Sequence, residues 1–120
     1  MTLKLLPQEL EVWYLLPALR RELAKIFIEF YKMSQKEVAD IIGVTESAIS
    51  QYLKSKRASE LKFSKDELLK IKKTAKNIIG DRKNITKHLF RLSIKLRGTK
   101  SLCELHRRHD KHLDNNCKIC

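Results

Sequence analysis

Residues 35–53 read QKEVADIIGVTESAISQYL, and this stretch decides the fold. Ser34 and Glu37 form a capping box ahead of it, so a helix is predicted from about Gln35 to Ile42. Gly43 then supplies a position that tolerates positive φ, and Thr45 is a second N-cap that opens a helix from about Glu46 to Lys54. Ala39 is small where the second helix would cross the first, while Val38, Ile42, Val44, Ile49 and Leu53 provide the apolar contacts between them. This is the pattern of a helix-turn-helix. Glu46, Ser47, Ser50, Gln51 and Lys54 remain as an outward polar face whose short or amide-bearing side chains suit base edges in a major groove. Gln35, at the start of the first helix, is placed to touch a phosphate, and Thr45, Lys56 and Arg57 complete the expected DNA-binding set.

Working outward, helix is the reading almost throughout, because only three glycines and two prolines punctuate the 120 residues and no strand-like alternation occurs. Pro7 and Pro17 each suit the first turn of a helix. Leu23, Ile26, Phe27 and Phe30 fall at helical spacing after Leu19, and Trp13, Tyr14, Leu15 and Leu16 form the most apolar patch, readable as core or as a dimer contact. Ser64 and Glu67 make another capping box, followed by an apolar stripe that Gly80 stops. A last long helix is expected over about Lys83 to Arg97, with Ile85, Leu89, Leu92 and Leu96 as its buried stripe. The expected class is an all-α helical bundle containing a helix-turn-helix. Its division is residues 1–80 as the DNA-binding domain and 81–120 as a basic helix with a Cys/His-rich extension.

The formal net charge is +12, and nine of those charges lie in residues 64–100, where 12 Lys and Arg face 3 Asp and Glu. Lys70, Lys72, Lys73 and Lys76, with Lys83, Lys87, Arg91 and Lys95, read either as a phosphate-contacting surface or as solvated helix faces. Such a balance points to a polyanion, usually nucleic acid. The chain lacks a long uncharged apolar run, which leads to the expectation of a soluble, cytoplasmic protein with no membrane partner. No glycine-rich phosphate loop, buried carboxylate pair or nucleophile with a positioned base stands out, so an enzyme is not expected.

The last eighteen residues, CELHRRHDKHLDNNCKIC, hold all three cysteines. Cys103-x-x-His106 and Cys117-x-x-Cys120 are two ligand pairs, and together they would complete a tetrahedral site that staples the extension. Zn²⁺ is the default occupant, with a [4Fe–4S] cluster as the alternative. His109 or His112 is an alternative nitrogen ligand to His106.

The segments LPQELEVWYLLPALRRELAK, from Leu6, and YKMSQKEVADIIGVTESAISQYLKSKRA, from Tyr31, resemble archaeal transcriptional regulators with a helix-turn-helix of the xenobiotic-response-element type. That class also includes the phage lambda repressor and Cro. The resemblance runs from residue 3 to about 80 and implies a four- or five-helix DNA-binding domain, usually a homodimer on double-stranded DNA, with helix 46–54 as recognition helix. The family's tail tends to carry several cysteine pairs. Cys103, His106, Cys117 and Cys120 match the later ones, whereas Phe90 and Ser93 lie where an earlier pair is expected. Beside the regulator stands another expectation, a small basic RNA-binding or chromatin-like protein that uses the helix-turn-helix as scaffold.

Overall fold

The computed structural model describes residues 4–54 and 61–110, and among them only helices and turns occur. The order is α1 (Pro7–Leu10), a π-helical turn (Glu11–Leu15), α2 (Leu16–Glu29), α3 (Gln35–Ile42), α4 (Glu46–Leu53), α5 (Lys65–Ile79), a 3-10 turn (Arg82–Asn84), α6 (Ile85–Leu96) and α7 (Lys100–His109). No helix among the described residues is long and apolar enough to cross a membrane. This is the all-α bundle that the punctuation predicts.

The first helical segments run on without a break, which differs from two separate starts at Pro7 and Pro17. Leu10 and Leu15 keep right-handed helical backbone angles, and Pro17 sits just inside α2. A proline within a helix lacks a donor and crowds the carbonyl four residues earlier. The wider turn over Glu11–Leu15 accommodates that crowding, so the helix continues instead of ending.

A single cluster of buried side chains draws on every long helix. Leu19, Leu23, Ala24 and Phe27 of α2 are its axis, and α2 packs against α3, α4 and α5. Ile71, Ala75 and Ile78 come from α5, Leu92 and Leu96 from α6, and Leu102 and Leu105 from α7. The apolar patch at Trp13 divides: Leu15 is fully buried, whereas Trp13 is half exposed. Burying such side chains contributes about 1.5–3 kcal/mol each before entropy opposes it.

Capping chemistry sets the helix ends. The Ser34 hydroxyl accepts the Glu37 backbone N–H at 3.1 Å, but the Glu37 carboxylate takes the Ser34 hydroxyl instead of its backbone N–H. The Ser34 box is therefore only half formed. The Ser64 box closes fully, with Ser64 N–H donating to Glu67 Oε1 at 2.7 Å and Glu67 N–H to Ser64 Oγ at 3.3 Å. The same carboxylate accepts the Ser101 hydroxyl at 2.8 Å, which ties the start of α5 to α7.

Burial raises the Glu67 pKa, but hydrogen bonds from Ser64, Ser101 and Thr99 outweigh it and leave the group below its ordinary 4.5. A folded value that is lowered stabilises above the unfolded pKa, and that stabilisation is lost as pH falls through the folded value. The advantage of the wild type over Glu67→Gln should thus be complete at neutral pH and vanish on acidification below 4.5. Urea denaturation of both proteins across that window measures it, and a pH-independent difference would contradict the assignment.

Candidate nucleic-acid interface

The geometry begins with the turn between α3 and α4. Gly43 adopts φ +83°, its N–H and that of Val44 both return to the Ala39 carbonyl, and nothing lies within 4 Å of where a Cβ would stand. Glycine is therefore required by the backbone angle and not by crowding. The 6→1 bond from Val44 closes α3 as a Schellman motif. Thr45 then caps α4, its hydroxyl accepting the Ala48 N–H at 3.0 Å.

These two stops orient α4. Ala48, Ile49 and Tyr52 are buried, at 4%, 0% and 4% exposure, so the opposite side of the helix must face outward. Glu46, Ser47 and Lys54 are exposed, and Ser50 and Gln51 are half-buried. Ser47, Ser50, Gln51 and Lys54 follow one another at spacings of three, one and three, which places them along one helical face. Gln35 is exposed at the first position of α3, beside backbone donors that no helical carbonyl satisfies. The structure brings the sequence-predicted residues Gln35, Thr45, Glu46, Ser47, Ser50, Gln51 and Lys54 to the two capped helices, with the Thr45 hydroxyl committed to its cap. Lys56 and Arg57 lie outside the described residues.

The basic stretch is placed on α5 and α6. Lys70, Lys72, Lys73 and Lys76 are exposed on α5, opposite the buried Ile71, Thr74, Ala75 and Ile78. Lys87, Arg91 and Lys95 are likewise exposed on α6. Arg97 differs, because its guanidinium binds Glu11 at 2.6 and 3.3 Å and links α6 to the π-helical turn.

The tail holds a feature that spacing alone does not reveal. Residues 100–109 form a further helix, beyond the one expected to be last at about Arg97, and it docks through Leu102, Leu105 and His106. His106 is 2% exposed, and its Nε2 is hydrogen-bonded to the Leu5 carbonyl. A carbonyl only accepts, so Nε2 carries the proton and Nδ1 is the basic nitrogen. One turn later Asp110 Oδ2 accepts the buried Leu5 N–H at 3.1 Å, and the His109 ring stacks on Tyr14 with centroids 4.9 Å apart. His106 of α7 and Asp110, the residue just past its end, thereby clamp both polar groups of Leu5. Asp110 is the residue that sequence reasoning missed, since nothing in its neighbourhood announces a partner 105 positions away.

Cys103 is half-buried on the same helix as His106, three residues before it. Among the described residues no group of three or more His, Cys, Asp or Glu side chains is placed to hold a metal. Cys117, Cys120 and His112 lie outside the described residues.

Residues 31–65 match the helix-turn-helix family HTH_3, which encompasses α3, the Gly43 turn and α4. Comparison with curated proteins and with solved structures finds no match. The family match supports a DNA-binding regulator of the xenobiotic-response-element type.

Proposed function

We propose that this chain is a sequence-specific transcriptional regulator that binds double-stranded DNA as a homodimer. The observation that carries the reading is the sidedness of α4: Ala48, Ile49 and Tyr52 are committed to the core, and Ser47, Ser50, Gln51 and Lys54 are left on the outward face. In this reading α4 enters the major groove, Gln35 touches the backbone, and each protomer reads a half-site about 10 bp, or a multiple of that, from the other. Gln51 makes a bidentate contact to adenine N6 and N7, the pairing its amide suits.

Selection of bound sequences from a random duplex pool supplies the operator, and Gln51→Ala tests the role. Discrimination between operator and random DNA should fall by about 1–3 kcal/mol while affinity for random DNA stays nearly constant. Equal losses on both duplexes would remove Gln51 from base reading.

The metal is part of the same proposal. Cys103, His106, Cys117 and Cys120 would hold Zn²⁺, with a [4Fe–4S] cluster as the alternative occupant. The His106 hydrogen bond is compatible with that role, because metal-binding imidazoles commonly donate their other ring N–H to a carbonyl, leaving here Nδ1 for the ion. The ion would close the extension onto α7, a structural contribution. Anaerobically purified protein should be colourless and carry one Zn²⁺ per chain, lost in Cys117→Ser. A brown sample with broad visible absorbance would assign the cluster instead, and a metal-free sample would leave His106 as a core residue alone.

A further inference from the structure

The end of α2 and the middle of α5 enclose a groove of about 830 Å³ that the DNA-reading face does not use. This volume lies within the range of about 300–1,000 Å³ typical of small-molecule sites. Its walls are of two kinds. Ile26, Phe30, Tyr31 and Leu68 supply an apolar body, and Phe30 and Tyr31 stand edge to face with ring centroids 5.0 Å apart. Phe30 is 75% exposed, although it ends the stripe whose Leu19, Leu23 and Phe27 fill the core. A large aromatic ring left in water beside other apolar groups is a surface that gains from being covered.

The second wall is cationic. Lys72, Lys73 and Lys76 project from one side of α5 into the lining. Lys25, Glu22 and Glu29 also line the groove; Glu22 is held by Arg21 at 2.7 Å, and four lysines against two glutamates leave the lining net positive. None of the ion pairs Arg21–Glu22, His88–Asp81 and Arg97–Glu11 takes a lysine of this wall. Three neighbouring ammonium groups on one helix repel one another, and one anion seated among them relieves that repulsion.

We propose that this groove binds a small amphipathic anion, an aryl or short alkyl carboxylate, with its apolar body on Phe30, Tyr31 and Leu68 and its carboxylate at Lys72, Lys73 and Lys76. Charge selects an anion, and the apolar floor selects a ligand with a hydrophobic body over a bare phosphate. A DNA backbone would satisfy the lysines but leave Phe30 and Leu68 uncovered. The groove also adjoins the connector into α3, where Lys32 takes a left-handed φ of 57° between Tyr31 and the Ser34 cap.

The test is an amide chemical-shift titration of the full chain with 4-phenylbutyrate, the uncharged 4-phenylbutyramide and acetate. The phenyl carboxylate should give saturable shifts below about 10 mM, the affinity scale of a fragment of this size, centred on Phe30, Tyr31, Leu68 and the three lysines. The amide should bind about tenfold more weakly, and acetate should not saturate. Lys72→Gln/Lys76→Gln, which alters only exposed side chains, should abolish the preference for the charged ligand, and Phe30→Ala should weaken both ligands alike. The proposal is overturned if acid and amide bind equally, if the shifts centre on Trp13 or Phe90, or if the double variant binds the acid as the wild type does. It is equally overturned if that variant only lowers the salt dependence of DNA binding, which would assign these lysines to phosphates.

Discussion

Phe27→Ala should lower the stability of the protein by about 3–5 kcal/mol, the cost of truncating a fully buried aromatic ring and leaving a cavity that its neighbours fill only in part. Phe27 is at 0% exposure on α2, the helix that packs against α3, α4 and α5, so the loss falls on the support of both helices of the helix-turn-helix. Small domains have only about 5–15 kcal/mol in total, and the variant would stand close to the edge of folding. Phe27→Leu, which keeps most of the volume, should cost about 1.5 kcal/mol or less and remain measurable. Urea denaturation followed by circular dichroism gives both values. A loss below about 1 kcal/mol in Phe27→Ala would mean that the ring is not the centre of the core.

Asp110→Ala should cost about 2–3 kcal/mol, because it removes a charge-assisted hydrogen bond and strands the Leu5 N–H in a buried place. Asp110→Asn keeps a carbonyl oxygen that accepts the same N–H, and the loss should shrink to about 1 kcal/mol. Hydrogen exchange separates this local event from general weakening. The Leu5 amide should lose its protection in Asp110→Ala, whereas the amides of Val38 and Ile49, on the core faces of α3 and α4, should change only by the global loss. Uniform acceleration at all three positions, or no change at Leu5, would contradict the clamp.

The helix-turn-helix was readable in the sequence because its instructions are local. Ser34, Gly43 and Thr45 are each within four residues of the groups they satisfy, and α3 and α4 fall at Gln35–Ile42 and Glu46–Leu53 as the caps require. The last long helix, expected from Lys83, begins at Ile85 after a short 3-10 turn, next to which the Asn84 side chain donates to Asp81 at 2.9 Å. That bond joins two side chains whose spacing is silent about its outcome. Gly80 stops α5 as expected but keeps a right-handed conformation, so it ends the helix without supplying a left-handed turn.

The remainder depends on distant partners. Pro17 reads as a helix start, and only the π-helical turn before it allows the helix to pass through. Cys103 and His106 read as a ligand pair, while Leu102 and Leu105 are too few to announce a docked helix without Leu5, Tyr14 and the start of α5 in view. Phe30 belongs to the same apolar stripe as Phe27, yet one is in the core and the other lies in open water at the groove. The helix ends between them, and periodicity does not show where its neighbour stops covering it.

The two hydrogen bonds to Leu5 have a kinetic side. They join positions 105 and 101 residues apart, so nearly the whole described chain must be gathered before either can form. Loop-closure entropy rises with the length enclosed, and contacts of such separation are made late, after α2 to α5 have assembled from nearer neighbours. Variants at this clamp should then leave the folding rate almost unchanged and express their whole effect in the rate of unfolding. The clasp between the two ends of the bundle therefore governs how long the native state lasts, while the core around Phe27 governs whether it forms.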